Sequence, residues 1–315
     1  MNKVPSGLDV EVSVVNHGDC ELSRSCLSSL PVACEGLKWH ATLVDNASDD
    51  GSAEILMAAF PELTVICNSK RHGFGENQNQ VIGPAVESGN ARYVLVLNND
   101  TELGEGSVSE LVKCADNDPK LGAVGPLTYN VDGSRQPSSF RFPTLAGALL
   151  SEVYPRAAPL GCEFAEKGEV WLGGACLLLR SDALRDVALF DTRFFLFFED
   201  VDLARRLRDR GWGSALCAES TIMHHNHKTV EREDLQFPMA CQLRRSYYLY
   251  VRKYHGTVAA ASLAMVGRAA LRIRAGVDEI TGRLRHDEEA AERAAALRSL
   301  ALYDPRRALP HELTG

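Results

Sequence analysis

Over roughly the first 130 residues, two hydrophobic patterns take turns. VEVSVVN, ATLVDN, LTVICN, YVLVLNND and LGAVGPL are short, rich in β-branched residues and nearly unbroken in apolar character, and the segments between them repeat apolar positions at helical spacing. Strands that are apolar on both faces and separated by helices predict an α/β fold with a mostly parallel central sheet flanked by helices. Polar residues gather where the strands run out, at Asn16, Asp45, Asn68 and Asp100. Ligands of open α/β sheets bind beyond the carboxyl ends of the strands, so these four ends predict one shared site.

From about Asp132 to Gly168 the pattern gives way to Pro, Ser, Gly and Arg, which reads as a long mobile connection. VWLGGACLLLRSDALRDV then reads as a strand and a short helix capped by Ser181. FFLFFEDVDLARRL drives an aromatic run into a helix start with three carboxylates, and a strand-like piece ends in MHHNH. From about Gln236 the chain reads as helices. The expected division is a domain over 1–235, with halves at about 1–130 and 131–235, and a helical extension over 236–315.

Composition narrows the classes. A chain of 315 residues with 45% hydrophobic content buries a sizeable core. Its net charge of −8 argues against nucleic acid as a partner. The charge is uneven: from Cys241 onward Lys and Arg outnumber Asp and Glu by 13 to 8, a basic tail on an acidic body that hints at an anionic surface or partner. The nine cysteines are scattered with no C-x-x-C spacing, so neither a disulfide framework nor a zinc site is expected, and a reducing cytoplasm fits. The N-terminal stretch has no apolar signal-peptide core. No bilayer-spanning run is expected either, since TVAAASLAMV is stopped by Arg268, Arg272 and Arg274.

Each polar cluster has two readings. In LVDNASDDGS, Asp49, Asp50 and Ser52 suit a helix start, whereas Asp45 projects from a strand end where a carboxylate can accept from a nucleobase or ribose. NSKRHGFGENQN lacks a dinucleotide fingerprint; its glycines permit close backbone approach, and its amides are either ligand contacts or plain surface. Asn98, Asn99 and Asp100 leave an apolar strand, where they serve an Asx turn or a divalent cation carrying a diphosphate. Of His224, His225 and His227, one is a candidate metal ligand beside Asp100, or all three are solvated. Glu199, Asp200 and Asp202 favour a helix N-terminus, yet the phenylalanines before them would raise a carboxyl toward general-base use.

Taken in order, VVN, LVDNASDDGS, GFGENQN, LNNDTE, WLGGACLLLRSDAL, FDTRFFLFFEDVDLARRLRDRGW and the histidine cluster resemble the inverting family 2 glycosyltransferases of GT-A fold, in their rhamnosyltransferase-like branch. The resemblance covers roughly residues 10–255. It implies that Asp45 binds the nucleobase with Asn16 lining the nucleoside, and that Gly73, Phe74 and Asn79 border the nucleotide. Asn98, Asn99 and Asp100 would form the DXD-type motif, with Asn98 in place of its first acid, and Asp100 would hold Mg²⁺ or Mn²⁺ with His224. Trp171, Gly173 and Gly174 would floor the acceptor side together with Glu199, and Asp200 would be the catalytic base.

The implied activity is transfer of a sugar, L-rhamnose from its dTDP donor or a sugar from a UDP donor, to a glycan or glycolipid of the cell envelope. A soluble natural-product acceptor and a non-catalytic nucleotide-sugar-binding module are the alternatives. Peripheral contact of the C-terminal helices with the inner membrane face, and a homodimer, complete the expected partners.

Overall fold

The computed structural model describes residues 6–153, 169–225, 233–285 and 287–306. The chain divides into two compact units, one of Met1–Arg141, Phe164–Phe195 and Glu199–His227, the other of Phe142–Glu163, Leu196–Phe198 and Lys228–Gly315.

The first unit is built on a sheet whose parallel core is β3 (Thr64–Cys67), β2 (Trp39–Asp45), β1 (Leu8–Asn16) and β4 (Ala91–Asn98), in that order. It continues through β10 (Cys176–Arg180), β6 (Leu121–Tyr129) and β11 (Gly213–His224) to β5 (Thr101–Leu103), with β7 (Arg135–Gln136) beside β6. β6 and β11 are parallel, whereas β10, β5 and β7 run antiparallel to their neighbours. Successive side chains of a strand point to opposite faces. Along β4, Tyr93, Leu95 and Leu97 accordingly enter a core with α1 (Cys20–Ala33) and α4 (Ser107–Asn117), while Val94 and Val96 enter another with α3 (Phe74–Ser88), α6 (Ser181–Val187) and α7 (Glu199–Asp209). Each of these fully buried side chains contributes on the order of 1.5–3 kcal/mol. The apolar run of β4 thus reflects a strand covered on both faces.

The expected strand–helix alternation is present, and three details differ. The stretch 132–153 is structured: it holds β7, β8 (Ser139–Arg141) and α5 (Leu145–Val153). The run VWLGGACLLLR is two strands in two sheets, because β9 (Val170–Leu172) pairs with β8 and the chain crosses to β10 through Gly173–Ala175. Ser181 is not a cap; its buried hydroxyl donates to the Ala91 carbonyl at 2.8 Å, tying α6 to β4.

The second unit contains α5, α8 (Glu233–Arg285) and α9 (Glu288–Leu302). α8 breaks at Gly256, whose φ of 86° and ψ of 171° are non-helical. Beyond the break Gly267 lies against the ion pair of Arg244 and Glu152, and an added Cβ would overlap it. The Leu196 carbonyl accepts from Gln242 Nε2 and Ser246 Oγ, and Phe198 stacks on Tyr247 at 5.2 Å. Phe197 and Phe198, both at φ 67°, sit in the left-handed region that non-glycine residues seldom adopt. These contacts hold the backbone in that conformation immediately before the acids of α7.

Candidate active site

The carboxyl ends of β1, β2, β3 and β4 lie side by side, with Asn16 opposite Asp45, Asp45 opposite Cys67 and Val15 opposite Asn98. Asp45 is buried, and its carboxylate accepts from Asn16 Nδ2 at 2.8 Å, from Ser48 N at 3.1 Å and from the Ser48 hydroxyl. Asn16 is fully buried; its amide also donates to Ser52 and its carbonyl oxygen accepts from Ser23, so the side chain is spent on ordering Asp45 and its surroundings. Asp50 accepts from the backbone N–H of Ser52 and of Asp19. These bonds, with Ser52's first, hold its carboxyl below the usual range. The N-cap of α2 (Ser52–Ala59) is Gly51, with no side-chain cap bond; of the expected capping residues, Asp50 accepts from the first helical N–H, while the Ser52 hydroxyl accepts from Asn16.

The glycines of GFGENQN answer to protein packing. A Cβ on Gly73 would lie 2.5 Å from the Phe195 carbonyl oxygen, which accepts from the Phe74 N–H at 2.7 Å. A Cβ on Gly75 would meet Phe190 Cβ at 2.7 Å, and Phe74 packs edge-on against that ring at 6.1 Å. Asn79 closes the joint: its Nδ2 donates to the Phe190 carbonyl and its Oδ1 accepts from the Phe190 N–H. The first turn of α3 is therefore buttoned to the segment 190–195, which leads toward Asp200.

At the end of β4 the Asn98 N–H donates to Ala175 O, Asn99 Nδ2 donates to Ser23 Oγ, and Thr101 Oγ1 donates back to the Asn98 carbonyl. Antiparallel pairing of β5 with β11 sets His224 opposite Thr101. His224 Nε2 then faces Asp100 Oδ1 at 3.2 Å, and its Nδ1 faces Gln136 Oε1 at 3.1 Å. His225 turns instead to Glu102, 3.0 Å away. His227 lies outside the described residues. The two adjacent histidines thus turn to different acids, and among the described residues His224 is the histidine whose ring faces Asp100.

Trp171 stacks on Phe140 at 4.8 Å and donates to the Arg141 carbonyl, and Gly173 N donates to Ser138 O. Gly174 N donates to Asp200 Oδ2 at 3.2 Å, and Val201 N donates to Oδ1 at 2.8 Å. Burial nevertheless pushes the Asp200 carboxyl up to about 6. Glu199 is buried with Oε2 lacking a partner among the described residues; burial first, and the Asp200 charge second, push it well above the carboxylate range. Asp202 is fully buried and pairs with Arg206, which donates to the Val187 carbonyl. One sequence stretch therefore holds an acid paired with arginine at 202, an acid whose charge burial disfavours at 199 and, at 200, an acid raised to about 6 beside a glycine N–H.

The family model for "Glycosyltransferase like family 2" matches residues 9–247. The chain belongs to glycosyltransferase family 2. As a member of that family it is an enzyme, a glycosyltransferase. It is 31% identical over 265 residues, 79% of this chain and 85% of the relative, to N-acetylglucosaminyl-diphospho-decaprenol L-rhamnosyltransferase of Mycobacterium tuberculosis. It is also 26% identical over 65% of its length to 16% of O-antigen biosynthesis protein RfbC of Myxococcus xanthus. Among solved structures, a mannosyltransferase from Pyrobaculum calidifontis in complex with GDP-Man and Mn²⁺ superimposes with a TM-score of 0.53 at 14% identity, over 96% of this chain and 89% of that one. The fold is GT-A, a mixed α/β sheet with flanking helices and a C-terminal helical region.

Two residues of this candidate site are not marked by the sequence pattern. Ser48, three positions after Asp45, gives that carboxylate two of its hydrogen bonds, and an Asx-type spacing was the available signal. Gln136 sits in a stretch that reads as loop, and nothing local connects it with His224.

Proposed function

We propose that this glycosyltransferase moves L-rhamnose from a nucleoside-diphosphate donor, dTDP-L-rhamnose first, to a hydroxyl of a polyprenyl-diphosphate-linked glycan, with inversion and with a divalent cation. The observation that carries it is Asp200. It is a carboxylate raised to about 6, at the end of a sheet of GT-A type, with its oxygens fixed by the N–H groups of Gly174 and Val201. A base with an affinity for protons close to the working pH is the efficient one for deprotonating an alcohol in a transition state. The names of the similar mycobacterial enzyme supply the sugar and the class of acceptor.

Ionised Asp200 takes the proton of the acceptor hydroxyl as its oxygen attacks the anomeric carbon, and the nucleoside diphosphate leaves from the opposite face. No enzyme nucleophile is required. Asp45 receives the donor's nucleobase or ribose. Trp171, Gly173 and Gly174 border the acceptor together with Glu199, whose retained proton keeps a second negative charge away from Asp200.

The donors at Asp100 and His224 fit a divalent cation. One carboxylate and one imidazole face each other at 3.2 Å, and Gln136 Oε1 lies 3.1 Å from Nδ1, where accepting from an Nδ1–H would turn the Nε2 lone pair toward the cation. Mg²⁺ and Mn²⁺ sites on nucleotides use few protein ligands and complete the shell with phosphate oxygens and water, in keeping with the lack of a larger ligand cluster among the described residues. When bound, the cation would neutralise charge developing on the diphosphate.

The test is a panel of dTDP, UDP and GDP sugars, with and without Mn²⁺, read as donor hydrolysis and as transfer to a short-chain polyprenyl-diphosphate glycan. Turnover with dTDP-L-rhamnose above the other donors is expected. Preference for another donor, or full activity in chelator, removes that part of the reading.

A further inference from the structure

We propose that the second half of α8 is a docking surface for an anionic lipid bilayer, lying along the membrane–water interface. This goes beyond the transfer reaction and stands on that helix alone.

Past the break at Gly256, Val258, Met265, Ile273, Val277, Ile280 and Leu284 are all exposed, Val258 at 83% and Leu284 at 77%. At 3.6 residues per turn they fall within about 120° of the helix circumference over some 40 Å. That stripe contains no acidic residue. The opposite side is a different surface: Ala260, Leu263, Leu271 and Ala275 are buried. A soluble helix normally turns its one apolar stripe inward. This helix has a buried stripe and a second, open one.

Charge selects the occupant. Arg268, Arg272 and Arg283 follow one edge of the open stripe; the acids near that edge are Glu279, paired with Arg283 and Arg298, and Asp304, which pairs with Arg306 and lies near Arg268. Residues from Cys241 onward carry a net positive charge. An apolar face edged by arginines, whose stems lie on apolar surface while their guanidinium groups reach phosphate, is the composition of an interfacial helix.

By length and composition Phe237–Leu284 is long and apolar enough to cross a bilayer, contrary to the expectation drawn from its arginines. Spanning is disfavoured all the same. Arg268, Arg272 and Arg274 lie in its middle, and the buried Tyr247, Tyr250 and Val251 precede the break. A second copy of the chain is the competing occupant, and the oligomeric state distinguishes it from a bilayer.

The experiment is flotation of the full chain with phosphatidylcholine vesicles, with and without phosphatidylglycerol, accompanied by light scattering without vesicles. The protein is expected to float with the anionic vesicles and to remain below with the neutral ones. Ile273→Asp with Ile280→Asp should abolish flotation, and Arg268→Glu with Arg272→Glu should weaken it about tenfold or more. Both variants should keep the melting temperature and turnover on a soluble short-chain acceptor, because all four side chains lie outside the site. Absence of flotation with either vesicle, or a dimer that the Ile273→Asp/Ile280→Asp variant dissociates, overturns the proposal. Failure of dTDP-L-rhamnose as donor would leave it standing.

Discussion

The Gly174 backbone N–H donates to Oδ2 of Asp200 across 3.2 Å, joining the glycine pair between β9 and β10 to the first turn of α7. A Cβ on Gly174 would sit 3.7 Å from that oxygen and 3.8 Å from the Phe74 ring, an ordinary contact distance. The glycine therefore leaves an open approach to Asp200 that any side chain would begin to fill.

In the proposed mechanism, replacing Asp200 with Asn removes the base and retains the shape. Transfer is expected to fall by about 10²–10⁴-fold, with nucleotide affinity by calorimetry little changed. A variant retaining most of its turnover would take Asp200 out of the base role.

With Asp200 as the proposed base, the acidic limb of kcat/KM should titrate near 6, because burial raises that carboxyl to about 6. The linked stability effect has a definite sign. The folded group holds its proton up to about 6, whereas the ordinary value is 3.8, so stability conferred by this group falls as pH rises between the two. Asp200→Asn should thus melt a few degrees higher than the wild type at pH 7–8, and the gap should close toward pH 4. Calorimetric scans across that range check it.

Gly73→Ala places a Cβ 2.5 Å from the Phe195 carbonyl oxygen, with backbone on both sides of the overlap. A loss of about 1–3 kcal/mol in urea unfolding is expected. Turnover should fall as well, because the segment that moves is the one leading to α7.

Asn79→Ala leaves the Phe190 N–H and carbonyl without their partners, at roughly 1–3 kcal/mol for each group that stays buried. Asn79→Asp keeps the acceptor but sets a carboxylate oxygen against the Phe190 carbonyl oxygen in place of the donor, so the urea midpoints of both variants should fall below the wild type.

His224→Ala should weaken Mn²⁺ binding, followed by the paramagnetic signal of free Mn²⁺, by about 10-fold or more; His225→Ala, turned toward Glu102, should leave it near wild type. Gln136→Ala should have an intermediate effect through the ring orientation of His224.

Much of this protein was determined locally. Buried parallel strands need apolar residues on both faces, which made β1, β2 and β4 legible, and their polar ends at Asn16, Asp45 and Asp100 marked the edge of the sheet where the site would lie. The acids opening α7 were equally visible. Only the tertiary structure decided how they divide the work, because the affinity of Asp200 for its proton depends on burial and on a glycine N–H contributed by another element. It also decided that Gly73 and Asn79 hold the 190–195 segment, and that His224, not His225, faces Asp100. Each of those is a contact between residues far apart in the chain, fixed by strand register and packing, and the residues on either side carry no local trace of it.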